Sequence, residues 1–209
     1  MNRGRFPYWP RAGLRLVSRA HKLRVEVESC AARTYDAHYG AQIAAFPDLM
    51  TAIVDDDGTV IAVAGVRHSA TGFFSEAYLP CPVEQRLAQF SGDRVRRESI
   101  VEFTTLAATQ PGAGTRLIIG LVESALYWGF EWSFFTATVS LRELLAHHAI
   151  PLHILAVADP ARIADAGRWG RYYASDPMVC ATWRRDLTVP GRTPVRPVVS
   201  FRPPVRAHA

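Results

Sequence analysis

ESIVEFTTLAATQPGAGTRLIIGLVESALYWGFEWSFFTAT, residues 98–138, is the stretch whose reading decides the fold. It parses as strand, glycine turn, amphipathic helix, strand. Ser99 to Leu106 is dense in β-branched and aromatic side chains, the composition of a buried or half-buried strand. Gln110 to Gly114 puts one proline and two glycines into five residues and reads as a loop. From Thr115 the apolar positions Leu117, Ile118, Leu121, Val122, Ala125 and Leu126 recur at helical spacing on one face. Gly129 stands where a glycine ends a helix, and Trp132 to Thr138 returns as a second strand. Free N–H groups at the start of such a helix suit an anion such as a pyrophosphate. Glu102 is the single ionisable side chain in the middle of the strand that leads there. A strand carboxylate next to an anion-binding turn is the pairing around which the site is expected.

Composition bounds the rest. The chain has 209 residues, 49% hydrophobic and 21% charged, which is enough for one core with or without tails. Cys30, Cys81 and Cys180 are odd in number and widely spaced, so they read as reduced thiols in a reducing compartment. No apolar run approaches the ~20 residues of a transmembrane helix, and the N-terminal region lacks the apolar core of a signal peptide. A cytoplasmic location is the expectation. The net charge of +5 conceals a partition: residues 1–24 carry +7, residues 25–180 carry −7 and residues 181–209 carry +5. Basic arms thus flank an acidic body, either as solvated tails or as a docking surface for an acidic partner such as an acyl carrier protein or anionic lipid.

Read in order, the chain begins with an arm over 1–15, then a segment from Leu16 that starts as strand and runs into helix. Val27 to Tyr39 is helical up to Gly40. Leu49–Asp55 and Val60–Arg67, joined through Asp56-Asp57-Gly58, form the plainest hairpin. Gly72 to Tyr78 is aromatic and reads as a short strand or a lid, and Pro82 to Phe90 as a short helix closed by Gly92. Ser140 to His148 is predicted as a helix with Ser140 as N-cap and Glu143 completing a capping box. Leu152 to Ala158 is a strand, Asp159-Pro160 opens a short helix, and the prolines beyond Leu187 give an extended tail. The domain expectation is therefore a basic arm at 1–24, a catalytic body at 25–187 and a Pro/Arg-rich tail at 188–209. This order fits an α+β, three-layer αβα fold around a mixed, mostly antiparallel sheet.

The order is similar to that of the GNAT superfamily of acyltransferases, with its pyrophosphate loop after the fourth strand. More narrowly, YGAQIAAFPDLMTAIVDDDGTVIAVAGVRHS, FFSEAYLPCPVE, IVEFTTLAATQPGAGTRLI and ADPARI with WGRYYASDPMV resemble the thermostable haemolysin family, which looks structurally like acyl-homoserine-lactone synthases. The resemblance spans about Thr34 to Ala181. It implies a sheet splayed between its fourth and fifth strands. It also implies Arg67 and Glu102 on the acceptor side of a cleft, with Thr104 beside them. Acyl transfer to an amine needs a base, or a carboxylate that orders a water, and the implied role of Glu102 is catalytic. A thioester needs positioning and donors for the developing oxyanion. Backbone amides over Thr105, Leu106, Ala107 and Ala108 are the candidates, with Gly112, Gly114, Thr115 and Arg116 gripping the acyl-donor phosphate. The superfamily pattern is Gln or Arg, two residues, Gly, one residue, Gly or Ala. Gln110-Pro-Gly112-Ala-Gly114-Thr115 is one residue out of step, which leans toward an acyl carrier protein over coenzyme A as bearer of the acyl-phosphopantetheine.

Further candidates carry less. Tyr172 and Tyr173, with Trp169 and Asp176 nearby, offer a general acid for a leaving thiolate. Phe103, Phe134 and Phe135 are core aromatics that would suit an acyl chain if they line the splay. His147, His148 and His153 lack carboxylate or cysteine partners at ligand spacing, so no metal is expected. No Gly-x-Ser-x-Gly elbow supports a serine hydrolase, and nothing beyond charge supports nucleic-acid binding. The resulting expectation is an N-acyltransferase moving a fatty-acyl group to a small amine such as an amino acid. The alternatives are a membrane-active protein using the basic arm with Phe6, Tyr8 and Trp9, or a non-catalytic acyl-carrier or lipid-binding module.

Overall fold

The Asp-Gly hairpin is the seed of a seven-stranded sheet. In the computed structural model, which describes residues 13–187, β2 (Leu49–Val54) and β3 (Val60–His68) pair antiparallel with Leu49 opposite Val66. Gly58 takes a φ of 86° in the turn, and the Asp55 Oδ1 accepts the Thr59 N–H at 2.8 Å. That left-handed backbone is what glycine makes accessible. Ahead of the hairpin, β1 (Leu14–Ser18) pairs antiparallel with β2, and its Leu14 and Val17 are buried. The strand lies inside the 1–24 segment that charge alone set apart as an arm. Leu14 joins the core on the α3 face and Val17 the core on the α1 face, so the strand is part of the body despite the basic charge around it. Residues 1–12, including Phe6, Tyr8 and Trp9, and the Pro/Arg-rich tail at 188–209 lie outside the described residues.

Four helices cover the two faces. They are α1 (Arg24–Tyr39), α2 (Val83–Ser91), α3 (Ala113–Tyr127) and α4 (Val139–His147). The remaining strands are β4 (Ile100–Ala108), β5 (Trp132–Ala137), β6 (His153–Val157) and β7 (Met178–Trp183), and the sheet order is β1-β2-β3-β4-β5-β7-β6. α1 packs through Val27, Cys30 and Ala31 against Val17, Met50 and Val63 on one face. α3 packs through Leu117, Ile118 and Leu121 against Ile53, Ala64 and Phe103 on the other, with Leu145 of α4 beside it. α2 joins the α1 side, where Val83 and Leu87 meet Ile100, Trp132 and Phe134. The layers are helix, sheet, helix, as the nearly continuous burial along β3 requires.

Every neighbouring pair of strands is antiparallel except β4 and β5. These run parallel and pair only through Ile100–Trp132, Val101–Ser133 and Glu102–Phe134. Beyond Glu102 the two strands diverge, which is the splay the resemblance implied. β4 is also irregular on its other side: Gly65 sits opposite Thr104 but Val63 sits opposite Ala107, so β4 carries one residue more than β3. This bulge holds Thr105 at a φ of 53°. For a β-branched residue that is a strained conformation, kept only where its surroundings over-determine it.

Several local expectations change. Thr138, not Ser140, caps α4, its Oγ1 accepting the Leu141 N–H at 3.4 Å; the cap lies two residues earlier, so Leu141 takes the N3 position and Glu143 falls outside a capping box. The loop before α3 ends at Gly112, whose φ is 77°, and Gly114 already belongs to the helix. Gly129, at a φ of 83°, does terminate α3 after the cap at Trp128. The Gly72 to Tyr78 segment is no strand: Ser75–Tyr78 is a 3-10 turn lying across the sheet. Among the described residues, no helix is long and apolar enough to cross a membrane.

Candidate active site

A cavity of about 260 Å³ opens where β4 and β5 part, on the α1 side of the sheet. Its floor is strand: Arg67 from β3, Phe103, Thr104 and Thr105 from β4, and Thr136 from β5. Its walls are the turn bearing Phe74, Ser75 and Tyr78, the 42–47 segment after α1, and the loop bearing Trp169 and Tyr172. Because β5 has left β4 by this point, β4 amides that would have bonded to β5 have no ladder partner there. The bulge at Thr104–Thr105 lies on this unpaired stretch, and both residues line the cavity. Ala107 and Ala108 have rejoined β3 opposite Val63 and Ala62.

Close approach at Gly65 shapes this floor. A Cβ there would stand 2.4 Å from the Thr104 hydroxyl and 2.6 Å from Cγ of Pro47. The missing side chain lets the 42–47 wall and the Thr104 hydroxyl meet over β3. Arg67 and Glu102 are cross-strand neighbours on the same face. Arg67 is half-buried and lines the cavity, and its Nε is shielded from solvent without a hydrogen-bond partner. Such a donor is costly to leave unmade and is suited to an incoming acceptor group.

Glu102 is placed differently from the sequence expectation. It is 0% exposed and stands behind the cavity rather than on its lining. Its Oε2 accepts the Phe74 N–H and its Oε1 the Ser75 N–H, both at 2.6 Å. Burial pushes the carboxyl above its ordinary value, while the Ser75 and Phe74 donors and the nearby Arg67 guanidinium pull it back.

The tyrosines divide. Tyr172 is 7% exposed and lines the cavity, stacked on Tyr35 at 6.2 Å and edge-on to Tyr39 at 5.2 Å. Burial raises its hydroxyl well above the ordinary tyrosine value. Tyr173 points elsewhere and meets the cavity only through Tyr78, the two hydroxyls lying 2.8 Å apart. Asp176 leaves the cluster to pair with Arg142 at 2.8 Å. Of the three phenylalanines, Phe103 lines the cavity and also a small apolar pocket on the far face of the sheet, where Phe135 lies with Leu106 and Ile118. Phe134 lines neither; it is fully buried and edge-on to Phe73 at 5.1 Å.

Gly112, at the N-cap of α3, and Gly114, Thr115 and Arg116 in its first turn stand at the far end of β4, outside the cavity lining. The Thr115 hydroxyl lies 3.4 Å from His148 Nε2. His153 pairs with Asp186 at 2.7 Å, and His147 abuts His148 ring to ring. Among the described residues, no three His, Cys, Asp or Glu gather as a metal site would need. Sequence reading missed Ser75, Tyr78, Thr136 and the 42–47 wall. Ser75 and Tyr78 had a local signal in the aromatic FFSEAY run, whereas Thr136 and the 42–47 wall reach the cavity through tertiary packing alone.

Solved structures place this geometry among known folds. FeeM, an N-acyl amino acid synthase from uncultured soil microbes, superposes with a TM-score of 0.53 at 11% identity, over 81% of this chain and 94% of that one. The AHL synthase LasI gives 0.54 at 10% identity, over 81% and 88%. A candidate N-acetyltransferase from Lactobacillus plantarum gives 0.51 at 10% identity, over 82% and 98%. The likeness is one of fold, a GNAT-like αβα sandwich. A comparison with curated protein sequences finds no match. Residues 17–187 do match the family model described as thermostable hemolysin, and the chain belongs to the thermostable hemolysin family.

Proposed function

We propose that the chain is an N-acyltransferase that moves a fatty-acyl group from a phosphopantetheine thioester to a small amine such as an amino acid. The observation that carries this reading is the cavity at the β4–β5 splay, floored by the Thr105 bulge. In this reading the amides that have lost a strand partner, on a strained backbone, are the donors for the developing oxyanion. The amine nitrogen attacks the thioester carbonyl carbon, the C–N bond forms, the C–S bond breaks, and the amine proton ends on the departing thiol. Arg67 offers its unpaired Nε–H to the acceptor, and Phe103 leads from the cavity toward the apolar far face where an acyl chain would lie.

Gly112, Gly114, Thr115 and Arg116 are the donor grip in this reading, and the acyl carrier protein is its first-choice bearer over coenzyme A. Tyr172, which lines the cavity, is the proton donor to the thiolate in this reading, and Tyr173 supports Tyr78. A cytoplasmic site of action follows, since such thioesters are made there. The test is thiol release by purified protein given acyl carrier protein or coenzyme A thioesters of graded chain length and a panel of amines. Product mass identifies the acceptor. Release no faster than without protein, for every donor and amine, would end the proposal.

A further inference from the structure

We infer that Glu102 is a positioning residue: its carboxylate fixes the Phe74–Ser75 turn that walls the cavity, and it does not itself touch the substrate. The inference rests on the acyl-transfer reading only for its kinetic consequence. Its structural basis is independent of that reading.

Both carboxylate oxygens are committed, each to one backbone amide at 2.6 Å, and the side chain is 0% exposed. A base must reach the proton it removes, and no oxygen of Glu102 faces the cavity while the turn is seated. What Glu102 holds does face it: Phe74, Ser75 and Tyr78 all line the cavity. The Ser75 hydroxyl meets the Thr136 hydroxyl at 2.8 Å across the splay, bridging the turn to β5. The Tyr78 hydroxyl is held by Tyr173.

The same turn is anchored on its outer side. Arg97 grips Glu76 through both oxygens at 2.6 Å and lies 4.6 Å over the Phe73 ring, which packs on Phe134. Only the inner anchor touches the Phe74 and Ser75 amides. A 3-10 turn laid across a sheet has no ladder for those N–H groups, so a buried acceptor must be supplied from below. Position 102 is the last point where β4 and β5 still pair, which makes it the deepest place from which a side chain can supply it. Arg67 beside it and Tyr78 above it are the other charged or titratable groups acting on this carboxylate.

The test uses the full chain and two readouts. Amide hydrogen exchange needs no activity. In the wild type the Phe74 and Ser75 amides should be protected by about 100-fold or more over an unstructured peptide. In Glu102→Gln, which turns one acceptor into a donor facing an N–H, their exchange should speed by at least about tenfold while β2 and β3 amides stay slow. Glu102→Asp, too short to reach both amides, should loosen them to a lesser degree. Kinetics then separates the roles: Glu102→Gln should raise KM for the amine by about tenfold and leave the midpoint of the acidic limb of the pH–rate profile in place. Unprotected amides in the wild type, or unchanged exchange in both variants, overturn the inference. So does loss of that acidic limb with KM unmoved, the signature of a base. If no thioester is turned over, the acyl-transfer reading fails while exchange still decides the role of Glu102.

Discussion

Gly170→Ala offers a demanding test of how the cavity wall is built. Gly170 has φ 52° and ψ −123°, a combination open to glycine and closed to other residues. A Cβ there would stand 2.2 Å from the Tyr39 carbonyl oxygen and 2.9 Å from the Gly40 carbonyl carbon. These are backbone atoms at the end of α1, which cannot swing aside as a side chain tip can. They are also bonded to the same loop, since the Arg171 N–H donates to the Tyr39 oxygen at 2.7 Å and the Gln42 N–H to the Arg168 oxygen at 2.7 Å. The wrong backbone region costs about 1–2 kcal/mol, and forced repacking about 1–3 kcal/mol. A loss near 3 kcal/mol corresponds to roughly 6–12 °C in Tm for a chain of this size. Gly167→Ala is the matched control, with ordinary φ and nothing within 4 Å of its Cβ. It should change stability by no more than about 0.5 kcal/mol. Thermal unfolding of the three proteins by circular dichroism decides it. A Gly170→Ala Tm within about 2 °C of the Gly167→Ala value would refute the reasoning. Because Trp169 and Tyr172 flank Gly170 and line the cavity, the clash should also weaken ligand binding there.

Two further outcomes can be checked. Arg97 holds the Glu76 carboxyl below its usual range, chiefly by hydrogen bonding and against the effect of burial. A folded value below the unfolded one stabilises above the unfolded carboxylate pKa of about 4.3, and that stability is lost as pH falls through the lowered folded value. Urea titrations at pH 7 and pH 3 should show Arg97→Met closing part of the gap, by about 1 kcal/mol after allowing for partial exposure; an unchanged gap refutes it. The thiols should also differ in reactivity. Burial pushes Cys180 up to about 11 and raises Cys30, both buried, whereas Cys81 is only half-buried. At pH 8 a thiol reagent followed by peptide mass analysis should label Cys81 first in the native protein and all three cysteines in denaturant. Equal native labelling of Cys180 would contradict its placement.

Much was legible in the chain because the signals are local. Residues 98–138 announce strand, turn, helix and strand through period and glycine placement alone. The Asp57-Gly58 hairpin and the glycine stops at Gly40, Gly92 and Gly129 follow from backbone freedom at single residues. Arg67, Thr104 and Thr105 were nameable and do line the cavity. β7 was not legible: MVCATW is a short apolar run without a period, buried between β5 and β6, and only its neighbours make it a strand. β1 was read in part, as a strand start at Leu16, but the basic charge around it set it apart from the body it belongs to. Tertiary structure alone decided where β4 and β5 part, which opens the cavity, and which way Glu102 serves it. A strand residue's face follows from alternation along its own chain. What occupies the space above that face, here the Phe74 and Ser75 amides from 27 residues or more upstream, is a matter of how the whole chain packs.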